Sequence, residues 1–319
     1  MYKFIVVKKK NIFSYLLILI VSICSFYYLW QYKKDIGSTA STISSNISIL
    51  KSSDIEILLD FNGDGEKETL EVKREKNTYI VKIKTPSKDY ILTPSDNSKI
   101  LGEYNSSLPL KINTLDISRD GIPEIIIRTS KDNKSTNYIF TWNKNDFLNI
   151  YTSSSNIFGI LDSKNSRTPR ILSASSSKGD SSTNSYILTE KQLKDTTFSK
   201  STIPNLNLIQ SFIDLIQAPY ELSDVPDIFS SFIDSTELSL LWNLNKDSYN
   251  YTFQNGYFYD TSWDDSGNIT TINWCLSFEE IKKIDSPDNK KELLLYLTLE
   301  KDSYNHLKIS TIKKINIEN

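Results

Sequence analysis

The segment DFNGDGEKE, residues 60–68, lies between two runs with the composition of β-strands, IEILLD at 55–60 and TLEVKR at 69–74. Side-chain oxygens occur at its first, third and fifth positions, and the glycine after the fifth position permits a sharp turn. If the loop coils tightly, these oxygens point at one centre and supply the hard ligands that Ca²⁺ requires. The segment therefore predicts a calcium loop inside a β-rich fold.

The same residues could instead form an EF-hand or a metal-free hairpin turn. Residues 60–71 formally complete the EF-hand pattern, with Glu71 at position 12. An EF-hand needs a helix on each side, whereas both flanking runs are strand-like, so Glu68 is the expected closing ligand. A metal-free hairpin turn is the second alternative, since Asn-Gly and Asp-Gly form turns without an ion. The four carboxylates within 60–68 favour the metal, because they repel one another without a cation.

A second copy of the loop, DISRDGIPE at residues 116–124, begins 56 residues after the first. Asp116, Asp120 and Glu124 keep the acidic positions, but serine replaces asparagine at the third position and Arg119 adds a positive charge. A metal-free turn is the favoured interpretation of this copy, and a second, weaker metal site is the alternative. A spacing near 50 residues is typical of a propeller blade or a similar β-repeat.

The two loops resemble the Asp-x-Asn-Gly-Asp-Gly-x-x-Asp/Glu loops of FG-GAP and VCBS-type repeat proteins, over about residues 55–172. The resemblance implies a mainly β, partial propeller-like repeat module, in which each loop joins two strands and binds a structural Ca²⁺. Such arrays are mostly extracellular. The ligands that the resemblance implies here are Asp60, Asn62, Asp64, the Glu66 backbone carbonyl and Glu68.

Residues 12–30 form an uncharged run of 19 residues, which as a helix spans about 28 Å, close to the hydrocarbon thickness of a bilayer. Lys8–Lys10 precede it, so the positive-inside rule keeps the tail, residues 1–11, cytoplasmic. The sequence thus predicts a single-pass cell-membrane protein with a transmembrane helix at 12–30 and extracellular C-terminal domains. A cleaved signal peptide is the alternative, with residues 38–40 as the cleavage site.

The extracellular part is predicted to have three sections. Residues 31–53 are rich in serine and threonine and predict a flexible stalk. Residues 54–198 contain short β-rich segments divided by turn residues and form the predicted repeat domain.

Residues 1–34 hold six lysines and no acid, so the rest of the chain carries a net charge of −8, against −2 for the whole chain. This acidity argues against nucleic acid as a partner.

Residues 199–319 predict an α+β domain, with helices followed by an antiparallel sheet. Apolar spacing predicts helices at 209–216 and 225–232 and a third after Asp234. The element order resembles the cones of nuclear-transport-factor-like and SnoaL-like domains, which enclose a pocket. The candidate lining residues are aromatic: Trp242, Tyr257, Tyr259, Trp263 and Trp274. Packing in the core is the favoured interpretation of these residues, because alternating aromatic side chains on strands are usually buried.

The sequence contains no recognisable catalytic motif. It lacks Gly-x-Ser-x-Gly, a phosphate-binding glycine loop and His-Glu-x-x-His, and its one histidine is His306. The favoured function is therefore binding or scaffolding at the cell envelope, with the cell wall or another envelope protein as partner. The alternative is a secreted or anchored hydrolase that uses the pocket of the C-terminal domain.

Overall fold

The computed structural model describes residues 25, 48–49, 55–95, 100–161, 168–176, 183–197, 202–220, 225–284 and 290–315. These residues contain 18 strands and two helices, so the described protein is mostly β. Two sheets and both helices belong to a unit that extends from Ile47 to Asn319.

The first sheet has ten strands, and all of its pairings are antiparallel. The strands are β1 (Ser48–Ile49), β2 (Ile55–Leu59), β3 (Glu68–Glu75), β4 (Thr78–Lys84), β5 (Asp89–Ile91), β6 (Gly102–Glu103), β7 (Lys111–Leu115), β8 (Glu124–Lys131), β9 (Lys134–Trp142) and β10 (Phe147–Ser153). Their main order is β1-β7-β8-β6-β4-β3-β2, while β5 pairs with β4 and the β9–β10 hairpin pairs with β8. The hairpins β2–β3 and β7–β8 each enclose one of the two predicted calcium loops.

The second sheet has eight strands in the order β14-β13-β12-β11-β15-β16-β17-β18. They are β11 (Ile157–Leu161), β12 (Arg170–Ala174), β13 (Asn184–Thr189), β14 (Gln192–Asp195), β15 (Tyr249–Trp263), β16 (Ile269–Lys282), β17 (Lys291–Lys301) and β18 (Leu307–Ile315). The pairing of β11 with β15 is parallel. It needs glycine at 159, since a Cβ there would lie 2.4 Å from the carbonyl oxygen of Phe258.

Two helices cover one face of the second sheet, α1 (Leu206–Gln217) and α2 (Ser235–Trp242). The predicted apolar stripe of α1 is confirmed, because Ile209, Phe212, Ile213 and Ile216 are all buried. The predicted start of α2 is confirmed as well, since the Asp234 carboxylate accepts the Thr236 N–H at 2.7 Å. The helix predicted at 225–232 is wrong: that segment is not helical, and Phe229 forms a parallel bridge with Ile309 of β18.

Apolar side chains, which alternate between the two faces of each strand, hold the helices and the two sheets together. Trp274 and Leu276 of β16 pack with α1 residues such as Phe212 in one apolar cluster. On the opposite face of this sheet, Tyr257 packs with Ile126 of the first sheet in a second cluster. Because successive side chains point to opposite faces of a strand, the second sheet is buried on both faces. A third cluster lies on the other face of the first sheet.

The predicted fold class is wrong in its main features. The strands from 55 to 153 form one sheet, and the described residues form neither a propeller nor a closed barrel. Helices followed by long strands do occur between 206 and 315, but β11–β14 complete their sheet. The chain passes from the first sheet to the second between Ser153 and Ile157, and the domain boundary at 198 and 199 stays a prediction. Local periodicity could not show this, because it does not specify which strands pair.

The predicted membrane anchor also has to be corrected. No helix among the described residues is long and apolar enough to cross a membrane. Except for Ser25, residues 12–30 lie outside the described residues, as does the predicted tail at 1–11. The cell-membrane location with outward-facing domains was derived from that helix and is corrected with it. Of the predicted stalk at 31–53, the structure describes Ser48 and Ile49, which pair with β7 as a strand.

Candidate metal centre

The loop at 60–68 is coiled by hydrogen bonds from its own backbone. The Asp60 carboxylate, directly after β2, accepts the N–H groups of Gly63 at 2.6 Å and Gly65 at 2.9 Å. The Asn62 side-chain oxygen accepts the Asp64 N–H at 2.8 Å. Gly63 and Gly65 have φ values of +78° and +91°, a region that glycine enters without steric cost. Side chains at positions 1, 3 and 5 therefore lie on the inside of one tight turn.

The closing glutamate reaches the same turn. The Asn62 amide nitrogen donates to Asp64 Oδ2 and to Glu68 Oε1, both at 3.0 Å. Four of the five predicted ligands, at positions 1, 3, 5 and 9, are thus brought together. The side chain of the fifth, Glu66, is exposed, which agrees with a role for its backbone carbonyl alone.

Glu68 connects the loop to the core. Its side chain is buried at the start of β3, and Oε2 accepts the Phe61 N–H at 2.7 Å. Burial is the main cause that raises the pKa of Glu68, and the carboxylates of Asp64 and Asp60 add to it, whereas the Phe61 N–H opposes the shift. Phe61 itself is fully buried in the core of the first sheet. Any ion bound in this loop would therefore act on the packing of β2 against β3.

The charges of this loop lack a basic partner among the residues that the structure describes. In the part of the chain that the structure describes, no lysine or arginine forms an ion pair with Asp60, Asp64, Glu66 or Glu68. Counting histidine, cysteine, aspartate and glutamate alone, the same residues contain no group of three or more arranged to hold a metal. A cation here would therefore also need the Asn62 amide oxygen and a backbone carbonyl. Both are ordinary Ca²⁺ ligands.

The second loop, at 116–124, has the same internal design. The Asp116 carboxylate accepts the N–H groups of Asp120 at 3.2 Å and Gly121 at 3.0 Å, and Asp120 accepts the Ile122 N–H at 3.0 Å. The two loops also touch, since a Cβ on Gly63 would lie 2.6 Å from Cδ1 of Ile122. Strands β6 and β4 separate their hairpins in the sheet order, so the sheet must curve to bring the loops together.

Glu124 closes the second loop as Glu68 closes the first. Its Oε2 accepts the N–H groups of Ile117 at 2.7 Å and Ser118 at 3.1 Å, while Oε1 accepts the Thr141 hydroxyl at 3.1 Å. The side chain is buried, and burial raises the pKa of Glu124. Asp116, Asp120 and Glu124 are thus arranged in the same way as their counterparts in the first loop.

A lysine distinguishes the two loops. Lys191, in the turn between β13 and β14, places its ammonium nitrogen 3.7 Å from Asp120 Oδ2 and donates to the Trp142 carbonyl. The second loop therefore already has a cation, supplied by a hairpin of the other sheet. Nothing in the local sequence relates this turn to residues 116–124, so the contact of Lys191 with the loop could not be predicted.

The five predicted pocket residues do not meet. Trp274 is fully buried on the face toward the helices, whereas Tyr257 and Tyr259 lie on the face toward the first sheet. Trp242 ends α2 and is 40% exposed, and Trp263 donates its indole N–H to Asp260 at 2.9 Å. A surface cavity of about 450 Å³ exists elsewhere in this domain. It is lined by Asn205, Leu208, Lys301, Asn305, His306, Leu307 and Lys308.

Three buried charges between the sheets were also missed. Lys111 and Glu292 form an ion pair with side chains 1% and 3% exposed, and Arg128 is 2% exposed. A sequence signal existed for Arg128, which interrupts the apolar run EIIIRTS. No sequence signal existed for the ion pair of Lys111 and Glu292, because these residues lie 181 positions apart in the chain.

No protein-family model matches the chain, and a search of curated proteins found no match.

Proposed function

We propose that this chain is a non-catalytic binding or scaffolding protein whose fold is stabilised by one structural Ca²⁺ in the loop at 60–68. The proposed ligands are Asp60, Asn62, Asp64, the Glu66 backbone carbonyl and Glu68. The observation that carries the proposal is one coiled turn that contains Asp60 and holds Asp64 and Glu68 on the Asn62 amide, without a basic partner among the described residues. The resemblance to FG-GAP and VCBS-type loops supports the same ion.

The electrostatics of the loop favour a divalent cation. Without one, the Asn62 amide nitrogen is the group that bridges Asp64 and Glu68. A neutral amide supplies hydrogen bonds but no positive charge, so the mutual repulsion of the carboxylates remains. A cation that enters between them would displace the amide nitrogen and neutralise this repulsion. The oxygen ligands and the flexible geometry suit Ca²⁺ better than Mg²⁺, which demands a near-ideal octahedron.

A structural role follows from what the loop is attached to. Glu68 is the first residue of β3, and it holds the N–H of the core residue Phe61. An ion that fixes Glu68 would therefore fasten the β2–β3 hairpin to the core of the first sheet. This position differs from that of a catalytic metal, which keeps an open coordination site beside a substrate cleft.

A protein partner suits the surface better than a small substrate does. Several aromatic side chains are largely exposed, including Phe232 at 88%, Tyr304 at 80% and Tyr220 at 66%. Aromatic residues contribute strongly to protein interfaces. The alternative of a hydrolase has less support, because the aromatic residues proposed for its pocket lie on different faces of the second sheet.

The direct test is the stoichiometry of Ca²⁺ binding to the full chain, measured by isothermal titration calorimetry. We expect one Ca²⁺ per wild-type chain and none for Asp60→Asn/Asp64→Asn. The matched control is Asp89→Asn/Asp265→Asn, which removes two exposed carboxylates outside the loop and should still bind one ion. A wild-type chain that binds no Ca²⁺ would refute the proposed site.

The second loop should gain an ion when its lysine is removed. Lys191→Met is expected to raise the stoichiometry from one Ca²⁺ to two, because Asp120 then loses its ammonium partner while the loop keeps its coiled shape. Adding Asp120→Asn should return the value to one. Lys194→Met, which removes an exposed lysine from the same hairpin, should leave it at one. Two ions in the wild-type protein would show that Lys191 does not neutralise the second loop.

A further inference from the structure

Polar side chains form a layer between the two sheets, outside the loop at 60–68. Lys111 of β7 lies opposite Arg128 of β8 in the register, and Asn113 lies opposite Ile126. Residues directly opposite each other share a face of the sheet, and alternation places Arg128 on the same face as Ile126. Ile126 belongs to the cluster that joins the two sheets. All three polar side chains therefore face the second sheet.

Lys111 has its charge neutralised inside this layer. Its ammonium group donates to Glu292 Oε1 of β17, and the Ser277 hydroxyl of β16 donates to the same oxygen. The ion pair is almost fully enclosed, with side chains 1% and 3% exposed. Among the described residues the other oxygen of Glu292, Oε2, has no hydrogen-bond partner, and the single carboxylate balances only one of the two positive charges in the layer.

Arg128 has no comparable partner. One of its nitrogens, Nη2, donates to Asn113 Oδ1 at 3.0 Å, and its guanidinium carbon lies 4.2 Å from the centre of the Tyr257 ring. Among the described residues, Nε and Nη1 of Arg128 and Nδ2 of Asn113 find no hydrogen-bond partner. No carboxylate of the described residues lies within ion-pair distance of Arg128. The layer therefore presents three unused nitrogen donors beside a buried positive charge.

Unused N–H donors beside a buried positive charge favour an anion as their acceptor. An arginine stays protonated at neutral pH, and a buried charge without a counter-ion is strongly unfavourable. Water could accept the hydrogen bonds, but it would leave the charge uncompensated. Cys275, opposite Tyr257 in the register, does not supply a charge either, because burial raises the pKa of its thiol.

We propose that Arg128 and Asn113 bind a small monovalent anion of halide size between the two sheets. Arg128, Asn113 and Tyr257 are each 2% exposed, so the enclosure excludes a bulky organic anion. An unused N–H group of the Arg128 guanidinium and the Nδ2 group of Asn113 donate to the ion, and the Tyr257 ring covers the guanidinium. The site is independent of the Ca²⁺ loop and would persist if that loop bound no metal.

Thermal unfolding of the full chain in sodium chloride and in sodium gluconate, at equal ionic strength and equal free Ca²⁺, tests the site. Gluconate is too large to enter, so we expect the wild-type Tm to be about 2–4 °C higher in chloride. This difference should vanish in Arg128→Met and persist in Arg74→Met, which removes an exposed arginine. Equal Tm values for the wild-type protein in the two salts would overturn the proposal.

Crystals of the wild-type protein grown in sodium bromide give a second test that does not depend on a variant that folds. An anomalous bromide peak within hydrogen-bond distance of Nε or Nη1 of Arg128 is the expected result. A water molecule at that position, without anomalous signal, would show that the donors are hydrated and that the layer binds no anion.

Discussion

Saturating Ca²⁺ is expected to raise the Tm of the full chain by about 5 °C over its value in chelator. An ion that binds only the folded state stabilises it by about 2.7 kcal/mol when its free concentration is about 100 times Kd, and a protein of this size gains about 2 °C per kcal/mol. Mg²⁺ should give a smaller rise, because it retains its hydration water more strongly. Differential scanning calorimetry in each ion measures both shifts.

The variant Asp60→Asn/Asp64→Asn separates this effect from general screening of charge. It keeps one side-chain oxygen at each position, so residue 60 can accept only one of the N–H groups of Gly63 and Gly65, and it removes two of the loop's negative charges. Because the relief of repulsion offsets the lost hydrogen bond, we expect it to unfold in chelator near the wild-type temperature, and to show no response to Ca²⁺. A Ca²⁺-induced rise equal to that of the wild-type protein would place the ion outside this loop.

Glu292→Leu is expected to lower the free energy of unfolding by about 3–5 kcal/mol. The substitution leaves the Lys111 ammonium group enclosed between the sheets without its carboxylate, and an unpaired buried charge carries a penalty of this size. Urea denaturation followed by circular dichroism measures the loss. Glu300→Leu, at an exposed position of the same strand, is the matched control and should change stability little.

Removing both charges should reverse most of that loss. Lys111→Met/Glu292→Leu replaces the ion pair with apolar side chains of similar length, and such replacements are often neutral or stabilising. The double variant should therefore be more stable than Glu292→Leu alone. If Glu292→Leu costs less than about 1 kcal/mol, the range of exposed ion pairs, the pair is solvated and the enclosed layer between the sheets is not formed as described.

The loop at 60–68 was predictable because its interactions are local. Asp60, Asn62 and Asp64 bond to N–H groups no more than five residues away, so residue types and spacing were enough to bring four of the proposed ligands together. The buried stripe of α1 and the Asp234 cap of α2 were predictable for the same reason. Whether the loop binds Ca²⁺ stays a prediction.

The segment 225–232 is a case in which the local sequence pattern predicts the wrong structure. Its apolar spacing favours a helix, yet Ile309 of β18 accepts the Ser230 N–H and donates to the Ile228 carbonyl. These bonds to a strand nearly 80 residues away replace the bonds that a helix would make within itself. The tertiary contact overrides the local preference because it satisfies the same backbone groups and covers the edge of β18.

By itself, the sequence determined the strands around each loop, the coiled shape of the loops and the faces of the helices, because short hydrogen bonds and side-chain alternation depend on neighbouring residues. Only the tertiary structure decided that β11 pairs with β15, that Lys191 reaches Asp120, and that Lys111, Arg128 and Glu292 share one buried layer. Each of these contacts joins distant parts of the chain. Strands that bury apolar faces have several possible partners, and the packing of the whole unit selects among them.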